Sequence, residues 1–184
     1  MEQNNISTVQ TENNACSTNE IKNNIPGTSF GTCNKKYIKL RGKNKKFDEK
    51  LYLKYDQPAR QIIKEKLGEI IKDNPDIYAE DLILNDEKCS YKYLELQVCA
   101  NWIEENYPYN YPFVYERKGH FSDDTLFIIF NRNMTKGLIF DKKSLNKEPK
   151  RIKKYSKTFI YDVPWRRVLQ FYIKHFDIDM LRSY

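Results

Sequence analysis

No stretch of the 184 residues is apolar over the length needed to cross a bilayer, and the N-terminus lacks the basic-then-apolar order of a signal peptide. Membrane anchorage and secretion are therefore not expected. The chain reads as an intracellular protein of the cytoplasm, a host nucleus or a virion. Cysteine is sparse: Cys16, Cys33, Cys89 and Cys99 lie far apart, with no pair at the spacing of a zinc knuckle. They read as reduced thiols, and a structural zinc site is not expected. A Gly-rich phosphate loop, a Ser-His-Asp arrangement and a nucleotide-binding fingerprint are all missing. Of the two histidines, His120 reads as an ordinary loop residue and His175 as a structural one among core aromatics.

Charge of one sign is in excess. The chain holds 32 Lys and Arg against 25 Asp and Glu, a net +7. Residues 1–34 hold Glu2, Glu12 and Glu20 against Lys22, a balance of −2, so the remainder carries +9. Such a surface attracts polyanions, of which nucleic acid is the commonest in cells. Abundant Lys, Asn, Ile and Tyr also suit an AT-rich genome, a large DNA virus among others, so charge points to a partner without naming a reaction.

Residues 1–35, rich in Asn, Thr and Ser without apolar period, are expected to be a disordered tail ahead of one domain over 36–184. Lys35 to Lys50 is basic, with Tyr37, Ile38 and Leu40 as a short strand; it serves as a linker or lies along phosphates. A helix is predicted over Pro58 to Asp73, with Ala59, Ile62, Ile63, Leu67, Ile70 and Ile71 on one apolar arc and Asn74-Pro75 as its stop. Strands are predicted at Glu80–Leu84, Tyr91–Val98, Phe113–Lys118, Thr125–Asn131 and Gly137–Phe140, with a hairpin connection at Asn133–Gly137. A second amphipathic helix is expected over Pro164 to Phe176. Trp102 and Trp165 read as core anchors. Helix, strands and helix around one sheet indicate an α/β or α+β fold.

Along Tyr91–Val98, Leu94, Leu96 and Val98 alternate with Tyr93, Glu95 and Gln97, placing an acid and an amide opposite the core face. Asp81 lies on the preceding strand, and Glu69 falls at the edge of the helical arc. Hydrolysis of a phosphodiester needs a divalent cation to offset developing charge, and Mg²⁺ takes a few carboxylates while keeping several waters. Adjacent strands lie about 5 Å apart, close enough for two acids to share one ion. The competing reading makes Glu95 and Gln97 the solvated face of an antiparallel strand, and Asp81 a turn-proximal acid.

The helix Pro58–Asp73, the strand Glu80-Asp81-Leu82-Ile83 and the strand Tyr93-Leu94-Glu95-Leu96-Gln97-Val98 resemble the PD-(D/E)XK nucleases, which include restriction endonucleases and Holliday-junction resolvases. The resemblance covers roughly residues 55–100 and rests on a short motif. It implies a restriction-endonuclease-like mixed sheet flanked by helices and Mg²⁺-dependent cleavage of DNA, with Mn²⁺ as a substitute. It further implies Asp81 and Glu95 as metal ligands, Glu69 as an outer ligand, and Gln97 in the place usually held by lysine. Glutamine stands there in some members.

Lys118 offers the missing positive charge in two ways. It reaches the site from the next strand, or Glu116 and Lys118 share a strand face and themselves form the motif. The better core face of Leu94, Leu96 and Val98 favours the first. Arg117, with Lys142, Lys143, Lys150, Arg151, Lys153, Lys154 and Lys157, is expected to hold the DNA backbone, or this run is a solvated loop. An enzyme cutting both strands would act as a homodimer. Two alternatives stay open: a catalytically silent DNA-binding relative, and a basic packaging or virion protein.

Overall fold

A computed structural model of the chain describes residues 48–152 and 158–184. The expected tail, the 37–40 strand, Lys153, Lys154 and Lys157 lie outside them. All described residues belong to one compact unit, Leu40–Tyr184.

The Asp48 carboxylate accepts the Leu51 N–H at 3.2 Å and so starts a single turn, Glu49–Leu51. A π-helical segment, Tyr52–Asp56, leads into helix α1, Gln57–Leu67. Pro58 sits in its first turn, where the missing N–H costs nothing. Ala59, Ile63 and Leu67 recur every fourth residue and are buried as one stripe. The helix is shorter than its apolar period suggests. Gly68, at φ 64°, ends it in a conformation open to glycine, and a 3-10 turn follows. Ile71, expected on the helical arc, instead begins strand β1, Ile71–Asp73.

Six strands form a mixed sheet. After β1 come β2 (Leu82–Leu84) and β3 (Tyr93–Cys99), an antiparallel meander with Ile71 opposite Leu84 and Leu82 opposite Leu94. The chain then makes a long connection containing β4, Phe113–Tyr115, and a 3-10 turn, Glu116–Lys118. It returns as β5, Thr125–Asn131, parallel to β3 from Tyr93 opposite Thr125 to Cys99 opposite Asn131. Every residue of β5 is buried, as a central strand covered on both faces requires. A hairpin leads to β6, Lys136–Asp141. Met134 takes φ 53° in that turn, and the Asn131 side chain accepts the Thr135 and Lys136 N–H groups at 2.9 and 3.2 Å. A second, three-stranded sheet joins β4, β7 (Lys150–Arg151) and β8 (Phe159–Asp162) in the order β4-β8-β7.

The second amphipathic helix does not form. Its segment is a 3-10 turn at Trp165–Arg167, strand β9 at Leu169–Tyr172, and another 3-10 turn at Ile173–His175. His175 is exposed rather than packed among aromatics. β9 pairs with β6, where Gly137 lies opposite Phe171 and leaves room for its ring. A Cβ on Gly137 would lie 2.6 Å from Phe171 Cζ and 3.2 Å from the Ile129 carbonyl oxygen. We expect Gly137→Ala to cost about 1–3 kcal/mol in urea melts and Phe171→Leu to recover part of it. Full additivity of the two changes would refute that contact. A short helix, α2, closes the chain at Ile178–Ser183.

The sheet separates two cores. On one face Leu94, Leu96, Leu126, Ile128 and Phe130 pack with α1, Phe176 and Leu181. On the other Phe127, Ile129, Leu138 and Phe140 pack with Trp102, Val114 and Val163. Trp102 is the core anchor expected of it, whereas Trp165 is half-buried. The alternation of β3 divides Leu94 and Leu96 from Glu95, which is thereby delivered into the second core. No helix among the described residues is long and apolar enough to cross a membrane.

Candidate functional site

Asp81 immediately precedes β2, and Glu95 is the third residue of β3. Because the two strands are antiparallel neighbours, these acids meet at one end of their ladder. The Asp81 N–H donates to Glu95 Oε2 at 3.2 Å, and Asp81 Oδ2 accepts the Leu96 N–H at 2.8 Å. Each carboxylate is thus fixed by the backbone beside the other.

Two cations complete the cluster. Lys118, from the 3-10 turn after β4, forms an ion pair with Glu95 Oε1, with Glu95 5% and Lys118 6% exposed. Arg60, from α1, pairs with Asp81 Oδ1, donates to the Asp81 carbonyl oxygen at 2.6 Å, and reaches Asp73 Oδ1 at 3.3 Å. Burial, reinforced by Asp81 and opposed by Lys118, pushes the Glu95 carboxyl up to about 7. Asp56, at the exposed end of the π segment, is also raised, first by desolvation and then by Asp81. Lys118, Arg60 and Arg117 oppose that shift, so all three cations act on this small region.

Glu80, the residue before Asp81, is buried. Its Oε1 accepts the Ser122 N–H and the Thr125 hydroxyl, both at 2.8 Å. It thereby ties the loop that follows Lys118 to the head of β5. Lys142 braces the same loop through the carbonyl oxygens of Gly119 and Phe121. Sequence pattern does not single out Arg60, Asp56 or Glu80. Adjacency to Asp81 is the one signal available for Glu80, and for Arg60 it is a guanidinium beside the helix's apolar stripe.

Glu69 does not join the site. With the helix ended at Gly68, Glu69 is exposed on the 3-10 turn at the Leu84 end of the β1–β2 hairpin, whereas Asp81 stands at the Leu82 end. Among the described residues no three His, Cys, Asp or Glu side chains gather as a metal-holding group. Gln97 lies two residues beyond Glu95 on the same face of β3, and its buried Oε1 accepts no hydrogen bond among the described residues. Glu116 and Lys118 do not share a strand face, since β4 ends at Tyr115 and both lie in the 3-10 turn. The Glu116/Lys118 arrangement is therefore excluded.

Among the basic residues expected at phosphates, Arg117, Lys143 and Arg151 are exposed. Lys142 is half-buried on the loop carbonyls, a tertiary role that its place in a charge run conceals. Lys150 forms an ion pair with Asp162 and keeps its side chain 61% exposed. Comparison of the chain with protein-family models, with curated proteins and with solved structures yields no match in any of the three.

Proposed function

We propose that the chain is a divalent-cation-dependent endonuclease hydrolysing DNA phosphodiester bonds. The observation that carries this reading is the meeting of Asp81 and Glu95, locked to each other's backbone with a buried lysine at the same point. Two hard carboxylates fit a cation such as Mg²⁺ that keeps much of its water, and Mn²⁺ would serve in its place. A mixed sheet with one acid on β3 and the other just before its neighbour β2 supports the restriction-endonuclease-like interpretation. When bound, the cation would neutralise phosphate charge and lower the pKa of an attacking water.

The chain's own groups would divide the remaining work. Asp81 and Glu95 would hold the cation, and Arg60 and Lys118 are their ion-pair partners. Lys118, fixed in a dry environment, stabilises charge developing on the phosphoryl oxygens. The acceptor Oε1 of Gln97 orients water. Arg117, Lys143 and Arg151 hold the DNA backbone. Cutting both strands would call for a second copy related by a two-fold axis.

A second reading has its own support: both carboxylates are already ion-paired and, among the described residues, no third acid joins them, as in a relative that binds DNA without cutting it. Supercoiled plasmid incubated with the full chain and Mg²⁺ or Mn²⁺ distinguishes the two. Conversion to open circles that stops with chelator is the expected result. Intact plasmid under both metals, with retention of DNA on a filter, would leave the silent binder.

A further inference from the structure

Three tyrosines close together in the chain leave much of their rings open to solvent. Tyr109, Tyr111 and Tyr115 are 39, 50 and 37% exposed, although burying an aromatic side chain stabilises a fold by about 1.5–3 kcal/mol. They lie on or just before β4. Val114 points into the core at 1% exposure, so Phe113 and Tyr115 occupy the opposite, outward face of the small sheet. Ring centroids run from Tyr109 to Phe113 at 5.4 Å and from Phe113 to Tyr115 at 6.0 Å.

Cations are interleaved with these rings. Lys150 Nζ lies 6.0 Å from the centre of Tyr111, and the Arg117 guanidinium 5.8 Å from that of Tyr115. Pairing places Lys150 opposite Ile160, and Ile160 opposite Tyr115, so Lys150 shares the outward face. The acid on this face, Asp162, is buried and held by Lys150 and by Asn146 at 2.7 Å.

We propose that this face is a stacking platform for the unpaired bases of single-stranded DNA. The proposal deepens the nuclease reading and takes its polymer from it. Aromatic rings beside cations are the chemistry that single strands need, a π-surface for each base and a positive charge for the flanking phosphate. A duplex hides its base faces inside the stack and gains little here. The core of a protein interface is depleted of charge, and here a cation stands at two of the rings.

The test is fluorescence anisotropy of the full chain with labelled oligo(dT) and with a blunt duplex of equal length, both in chelator. Single strands should bind at least tenfold more tightly than duplex. Tyr111→Ala, and more so Tyr111→Ala with Tyr115→Ala, should lower single-strand affinity by about tenfold or more per ring, with duplex affinity little changed. Tyr111→Phe, which keeps the ring, should restore binding, and quenching of a 2-aminopurine base in the oligonucleotide should follow the same order. Equal affinity for the two forms, or unchanged binding by Tyr111→Ala, overturns the platform and leaves the face to a protein partner. Because binding is read without metal, this result is independent of whether plasmid is cut.

Discussion

Lys118→Met is expected to destabilise the protein by about 1–2 kcal/mol more at pH 8 than at pH 5, because Glu95 without its counter-ion must take up a proton to stay buried. Glu95 is enclosed by the second core and the loop after β4, and the lysine is its counter-ion. Removal of the ammonium raises the Glu95 carboxyl beyond its present value of about 7. The loss should therefore be largest above about pH 7, where Glu95 of the parent is ionised, and should shrink toward pH 5, where it folds neutral in both proteins. Chemical denaturation at both pH values, repeated with Glu95→Leu and the double variant, checks this. The double variant should be markedly more stable than the sum of the single effects predicts. A loss equal at pH 5 and pH 8, or strict additivity, would show that the two side chains do not act as one buried unit.

Glu95→Gln is expected to reduce metal-dependent nicking by about 10³-fold or more, the scale of several kcal/mol of charge stabilisation. A companion pH effect follows in the unaltered protein. A cation must displace the proton held on Glu95, so at limiting Mg²⁺ the logarithm of the nicking rate should climb with unit slope below about pH 7 and level off above. Stability runs the other way. The folded carboxyl sits above its ordinary value of 4.5, so its contribution is complete below pH 4.5 and is lost as pH rises to about 7. The decline is on the order of 3 kcal/mol, and Glu95→Gln should flatten it. A variant that nicks as fast as the parent would remove Glu95 from the reaction, and one whose stability declines in parallel across this window would remove it as the cause of the decline.

Elements governed by local pattern are legible in the sequence. β3 declares itself by alternation, and β5 by an unbroken apolar run whose bounds match at both ends, Thr125 and Asn131. The segment Pro164–Phe176 reads as a helix because its apolar spacing suits one as well as it suits a broken strand. The decision belongs to β6, whose Gly137 admits the Phe171 ring, and no local window contains that contact. Gly68 is a visible stop, but the isoleucines that follow it continue the helical period and mask it. In the site, Asp81 and Glu95 can be picked out as acids flanking one turn, and Lys118 as a downstream lysine that answers the missing charge. Arg60, Asp56 and Glu80 act across long sequence separations, as do the carbonyl oxygens that occupy Lys142, and only the folded chain brings such partners together.

Parallel neighbours such as β3 and β5 require a crossover, and here residues 100–124 make it without a helix to hold itself together. That crossover is secured by β8, where Phe113 meets Asp162 and Tyr115 meets Ile160. During synthesis the carboxylates of Asp81 and Glu95 have their strands available early, but the segment bearing Lys118 is not held on both sides until Lys142 and then residue 162 have emerged. Closing a loop that long costs entropy before any contact repays it. The lysine is therefore the late arrival of the charged centre: a nascent chain has Arg60 ready for Asp81 but carries Glu95 before its cation is in place.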